Sequence, residues 1–201
     1  MTVVEIIDTI TEWARREICT KIKLKCPPED TEANAKEYHY KLMHPACFSL
    51  FVPTKDKLPP AVLSPIPSIC VRVIEGEDSM DAQKGSLTIE LCLSTWDTGI
   101  HGKDILEPVG DNRFKISDVE RYQKDGGGWR DAWNLLDIVL REIEGSASIE
   151  GVQIDRTSPV KFGPYTEQES IPDFYPFWFA WVRFKVTRAL VRNVKDYENL
   201  L

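Results

Sequence analysis

Ile69-Cys70-Val71-Arg72-Val73-Ile74-Glu75 and Ser86-Leu87-Thr88-Ile89-Glu90-Leu91-Cys92-Leu93 are the two stretches that decide the fold. In each, apolar and polar side chains alternate, which puts Ile69, Val71 and Val73 on one face and Leu87, Ile89, Leu91 and Leu93 on the matching face of a neighbour. A period of two is the mark of a strand with one buried side. Residues 76–85 between them are polar, begin at Gly76 and close before Gly85, so the pair reads as an antiparallel hairpin.

Toward the C-terminus, Thr95–Gly128 is a long polar, glycine-containing loop with room for a short helix around Ser117–Gln123. A helix follows from about Trp129 to Glu144. Trp129, Trp133, Leu136, Leu140 and Ile143 form its apolar stripe, and Gly145 stops it. Further strands are expected at Val152–Asp155, Val160–Tyr165 and Phe174–Val186. The last has one face of Trp178, Ala180, Val182, Phe184 and Val186. Its other face reads Phe177, Phe179, Trp181, Arg183, Lys185. Three aromatics in a row on the outer face of a strand call for a cover, either a partner or another part of the same chain. Leu190, Val194, Tyr197 and Leu201 then recur at helical spacing.

Toward the N-terminus, eight of the thirteen prolines fall in Pro27–Pro67, giving an extended, loop-rich arm at about 26–64. It has room for a short helix near residues 31–42 and a short strand at Phe48–Val52. Before it, Val3, Ile6, Ile7, Ile10, Trp13, Ala14 and Ile18 mark an amphipathic helix over 2–22, ended by Pro27-Pro28. The expected class is α+β, one domain over 1–201: a mainly antiparallel sheet with amphipathic helices packed on one side. Its core is expected to set Val71, Val73, Leu87, Ile89, Leu91, Val182 and Phe184 against Trp133, Leu136 and Leu140.

Composition narrows the function classes. With 25 Lys+Arg against 32 Asp+Glu and a net charge of −7, the surplus is the wrong sign for nonspecific phosphate binding. No stretch approaches the roughly 18–20 uncharged apolar residues needed to cross a membrane, and MTVVEIIDTI lacks the basic start of a signal peptide. Five cysteines, an odd number at wide spacings, point to reduced thiols in a cytoplasmic setting.

Candidate chemistry is thin. Cys26, His39 and His44 have the spacing of the second half of a zinc finger, but Cys19 lies too far upstream to complete four ligands. His44 and Cys47 have the residue types of a base and a nucleophile, yet Cys47 opens an apolar run that suits a buried, inert thiol. Cys70 and Cys92 face away from the main apolar stripe, as packing residues under another layer. Gly126-Gly127-Gly128 lacks the lysine of a phosphate loop and reads as a flexible lead into the Trp129 helix. The clusters Glu75/Glu77/Asp78/Asp81 and Glu167/Glu169/Asp173 lack calcium-loop spacing and read as solvated turns. The expectation is a protein with no catalytic residues, no metal and no cofactor.

The order of elements, with Pro67-Ser-Ile-Cys-Val-Arg-Val-Ile-Glu-Gly76, Gly128-Trp-Arg-Asp-Ala-Trp-Asn-Leu-Leu136 and Tyr175-Pro-Phe-Trp-Phe-Ala-Trp-Val-Arg-Phe184, resembles the tail terminator and minor tail-completion proteins of long-tailed bacteriophages and prophages. The likeness covers roughly residues 1–20 and 65–187; the arm at 26–64 and the loop at 95–128 are additions. It implies a virion subunit, made in the bacterial cytoplasm, that assembles as a ring, usually a hexamer. Such a ring caps the tail tube, meets the head connector and lets DNA pass without specific binding. Phe177, Phe179 and Trp181 are the expected contact residues, for which the arm or the C-terminal helix is the competing intramolecular cover. The alternatives are another head–tail neck protein, or a zinc- or cysteine-dependent enzyme or binding module around Cys26, His39, His44 and Cys47.

Overall fold

Thr2 starts the first helix. Its hydroxyl accepts the Glu5 N–H while the Glu5 carboxylate accepts the Thr2 N–H at 2.6 Å, a reciprocal cap that satisfies two otherwise orphaned donors. In the computed structural model, which describes residues 1–27, 39–79, 84–99, 106–110, 113–116 and 127–189, α1 (Val3–Trp13) continues through a wider π turn at Ala14–Ile18 and a tighter 3-10 turn at Cys19–Lys21. The expected apolar stripe is the buried one: Ile6, Ile7, Ile10, Trp13, Ala14 and Ile18 all lie inside.

The strands in chain order are β1 (Leu24–Lys25), β2 (His39–Met43), β3 (Ala46–Ser49), β4 (Ser68–Ser79) and β5 (Lys84–Trp96). Next come β6 (Leu106–Gly110) and β7 (Arg113–Ile116), then the helix α2 (Trp129–Gly145). The chain goes on through β8 (Ser148–Ile149), β9 (Val152–Ile154), β10 (Lys161–Pro164) and β11 (Phe177–Ala189). The class is α+β. The larger sheet runs β3-β4-β5-β11-β9-β8, with β10 also on β11. Its pairings are antiparallel except β3 with β4, so the sheet is mixed.

The β4–β5 hairpin forms as the alternation predicts but is longer than expected, because a bulge falls between Val73 and Glu75. Without it, strict alternation would carry Glu75 and Glu77 onto the buried face. The extra residue, Ile74, shifts the phase, so that Glu75 lies opposite Thr88 and Gly76 opposite Leu87. Gly76 suits that place, since a Cβ there would press on the Leu87 side chain at 2.8 Å.

One hydrophobic cluster gathers the alternate residues of β4, β5 and β11 with the buried residues of both helices. Val71, Leu87, Ile89, Leu91, Val182, Phe184 and Leu136 belong to it, while Val73, Trp133 and Leu140 pack on its margin. The α2 stripe is therefore turned from the expected one. Ala132, Leu135, Leu136, Val139 and Ile143 are buried, whereas Trp129 is 46% exposed. The cause lies at the start of the helix. A Cβ on Gly128 would fall on the Asp97 carbonyl and the Trp178 indole, so this residue docks closely against the end of β5 and fixes the helix rotation. Gly128 is a close-packing residue, not a flexible lead.

Described parts of the arm and of the loop form strands. A second sheet, β1-β2-β7-β6, takes β2 from the arm and β6 and β7 from the loop. Residues 39–42, within the expected short helix, are thus strand; residues 31–38 lie outside the described residues, as do Ser117–Gln123 and the C-terminal stretch Leu190–Leu201. The short strand of the arm is Ala46–Ser49, not Phe48–Val52, because Leu50 takes a left-handed conformation (φ 68°) that ends it. Lys25 links the two sheets. Its ammonium lies 2.6 Å from Asp97 Oδ1 and 3.9 Å from Asp131 Oδ2, with Asp97 fully buried. Among the described residues no helix is long and apolar enough to cross a membrane.

Candidate contact surface

Strand alternation gives the sheet a second face, opposite the core, and the register arranges it in rows across β4, β5 and β11. Ser68–Ser94–Phe179 is one row, Cys70–Cys92–Trp181 the next, and Arg72–Glu90–Arg183 the third. Glu90 is almost fully buried in the central strand. A buried carboxylate needs compensation, and three donors supply it: Arg72 Nε at 2.6 Å, the Arg183 guanidinium, and the Cys92 thiol at 3.2 Å. Burial alone would raise the Glu90 pKa. The hydrogen bonds from Arg183, Cys92 and Arg72 outweigh it and hold the carboxyl below its ordinary value.

The thiols of the neighbouring row are shifted as well. Burial pushes Cys70 up to about 11. Burial and the hydrogen bond to Glu90 push Cys92 up to about 12. At such values both thiols are protonated at neutral pH.

Phe177, Phe179 and Trp181 are brought together on this face, all half-buried. Trp181 donates its indole N–H to the Pro164 carbonyl at 2.9 Å, lies over Gly163, and carries the Arg183 guanidinium stacked on its ring at 4.4 Å. Phe179 meets Phe174 and Tyr165 edge to face, at centroid distances of 5.7 and 6.4 Å. The intramolecular cover among the described residues thus comes from β10 and residues 165–174. Sequence reading missed this cover: the aromatics Tyr165 and Phe174 were visible, but the pairing that sets Gly163 opposite Trp181 was not.

Among the described residues the cover is incomplete. A groove of about 500 Å³ runs over Arg72, Glu90 and Cys92, walled by Phe179, Trp181 and Tyr165. Beside it, between the start of α2 and residues 164–174, a socket of about 270 Å³ is lined by Trp129, Trp133, Ile171, Phe174, Phe177 and Trp178. Ile171 is 67% exposed at its mouth.

His44 Nδ1 lies 2.8 Å from the Ile22 carbonyl and 3.0 Å from that of Cys19, so its ring N–H ties off the end of the first helical run. Cys47 is buried, and its hydrogen bond with Cys19 and its burial push its thiol far up. Cys26 is half-buried with its N–H on the Lys41 carbonyl, and His39 is in β2. Among the described residues no three His, Cys, Asp or Glu side chains are placed to hold a metal ion. Of the acidic clusters read as turns, Glu75, Glu77 and Asp78 instead lie in β4, where Glu75 accepts from Thr88 and Asp78 pairs with Arg188 of β11; Glu167 accepts from Tyr165 and Asp173 from the Tyr175 N–H. No known family model matches the chain, and no curated protein matches it.

Proposed function

We propose that the protein is a virion structural subunit of the tail-terminator kind, acting by assembly into a ring that caps a phage tail tube and contributes to head–tail joining. The observation that carries this reading is the aromatic outer face: Phe177, Phe179 and Trp181 sit in a band that the described residues cover only in part, beside a socket with large apolar side chains at its rim. Such a surface suits a protein that finishes burying itself against partners. The order of elements and the three sequence strings supply the particular kind of partner: copies of itself, the tail-tube protein and the head connector. The net charge of −7 fits a conduit that passes DNA without gripping it.

Tail morphology tests the reading. Disrupting the gene in the phage or prophage that carries it is expected to give tails of uncontrolled length, without heads attached, in electron micrographs of lysates. Tails of normal length joined to filled heads would overturn it.

A further inference from the structure

We infer that the ring contact is a knob of one copy entering the socket of the next, with Leu50 and Phe51 as the knob. This rests on the ring reading above and names the surfaces that make the ring. Leu50 is 56% and Phe51 69% exposed, an unusual pair of adjacent large apolar side chains to hold in water. They are held there by the backbone. Leu50 has φ 68°, its N–H donates to the Val71 carbonyl, and the Phe51 N–H folds back onto the Ser49 carbonyl at 2.8 Å. A non-glycine residue in this conformation persists where the surroundings fix it, often at a working surface.

Placement selects a second copy as the occupant. The knob leaves β3 at one edge of the larger sheet, and the socket lies by β10 and β11 toward the other, with β4 and β5 between them. At about 4.8 Å per strand, that separation keeps a chain's own knob out of its own socket. Charge agrees with the pairing. Exposed Lys55 and Lys57 follow the knob, flanking a single Asp56. Around Ile171 and Phe174 the socket segment carries Glu167, Glu169 and Asp173, and residues 164–176 have no basic residue. A contact between two different surfaces is head-to-tail, which closes into a ring or runs on as a filament.

Size-exclusion chromatography with light scattering tests this on purified full-length chains. Phe51→Glu spoils the knob and Ile171→Glu the socket. Both residues are surface residues, so both variants are expected to keep the wild-type melting profile; Trp129→Ser is the second socket variant if Ile171→Glu does not fold. Wild type is expected to form closed oligomers. Each single variant is expected to be a monomer, its self-association weakened at least ~30-fold, the loss typical of an interface anchor. Mixing the two variants is expected to give a one-to-one dimer and nothing larger, since one sound knob and one sound socket remain. Variants that form rings like wild type, or a mixture that stays monomeric, would overturn the inference and leave the ring reading standing. A wild-type chain that stays monomeric at every concentration would overturn both.

Discussion

Glu90 shows how one residue can be polar, buried and stable in the middle of a sheet. Alternation sets its place, because Ile89 and Leu91 on either side of it in β5 point into the core and force Glu90 to the outer face. Its charge is kept by Arg72 and Arg183 on the flanking strands. Because the hydrogen bonds hold the Glu90 carboxyl below its ordinary value, its contribution to stability is fully present above the unfolded carboxylate range. That contribution is lost as the pH falls through the lower folded value. Arg72 and Arg183 are each partly open to solvent, which screens the pairing. Glu90→Gln is therefore expected to cost about 1–2 kcal/mol near neutral pH. In urea unfolding across a pH series, the gap between variant and wild type should close below about pH 4. A gap that persists unchanged in acid would mean that the charge of Glu90 is not what the two arginines stabilise.

At the scale of elements, α2 separates what a pattern reveals from what it hides. Its existence and its stop were legible, because apolar residues recur at helical spacing up to Gly145. Its rotation was not. Two tryptophans drew the expected stripe toward themselves, while the small Ala132 and the close approach at Gly128 set the true one. Leu136→Ala, at a site 1% exposed, is expected to cost about 2–5 kcal/mol in denaturant unfolding. Trp129→Ala should change stability by less than about 0.5 kcal/mol, as surface substitutions usually do. Equal losses at the two sites would restore the stripe centred on the tryptophans. The strands show the same division. Alternation located β4, β5 and β11, but it could not show that a bulge at Ile74 prolongs β4 to Ser79. Phe177, Phe179 and Trp181 were legible for the same reason, as the outer face of a strand, whereas the β10 cover depends on a pairing that no local pattern records.

For the whole molecule, the second sheet was the least legible part, since β2 from the arm finds β7 from the loop across a long stretch of sequence. Its β1 strand is tied to the larger sheet by Lys25 and Asp97. Lys25→Ala leaves the Asp97 carboxylate buried without this counter-charge and is expected to cost about 3–5 kcal/mol. The double variant Lys25→Met with Asp97→Leu should recover part of that loss in the same unfolding measurement, because neither charge of the pair is then left behind, while the buried Gly99 N–H loses its acceptor and Asp131 its nearby ammonium. A double variant no more stable than Lys25→Ala would mean that the pair holds a geometry that apolar side chains cannot replace. The position of β11 has a consequence for synthesis. It lies between β5 and the β9/β10 strands, yet it is the last described strand to be translated. A nascent chain that has reached α2 therefore carries β5 with one long edge unpaired, and such edges invite pairing with other chains. The time spent translating residues 97–176 is a window of vulnerability, which closes only when β11 leaves the ribosome.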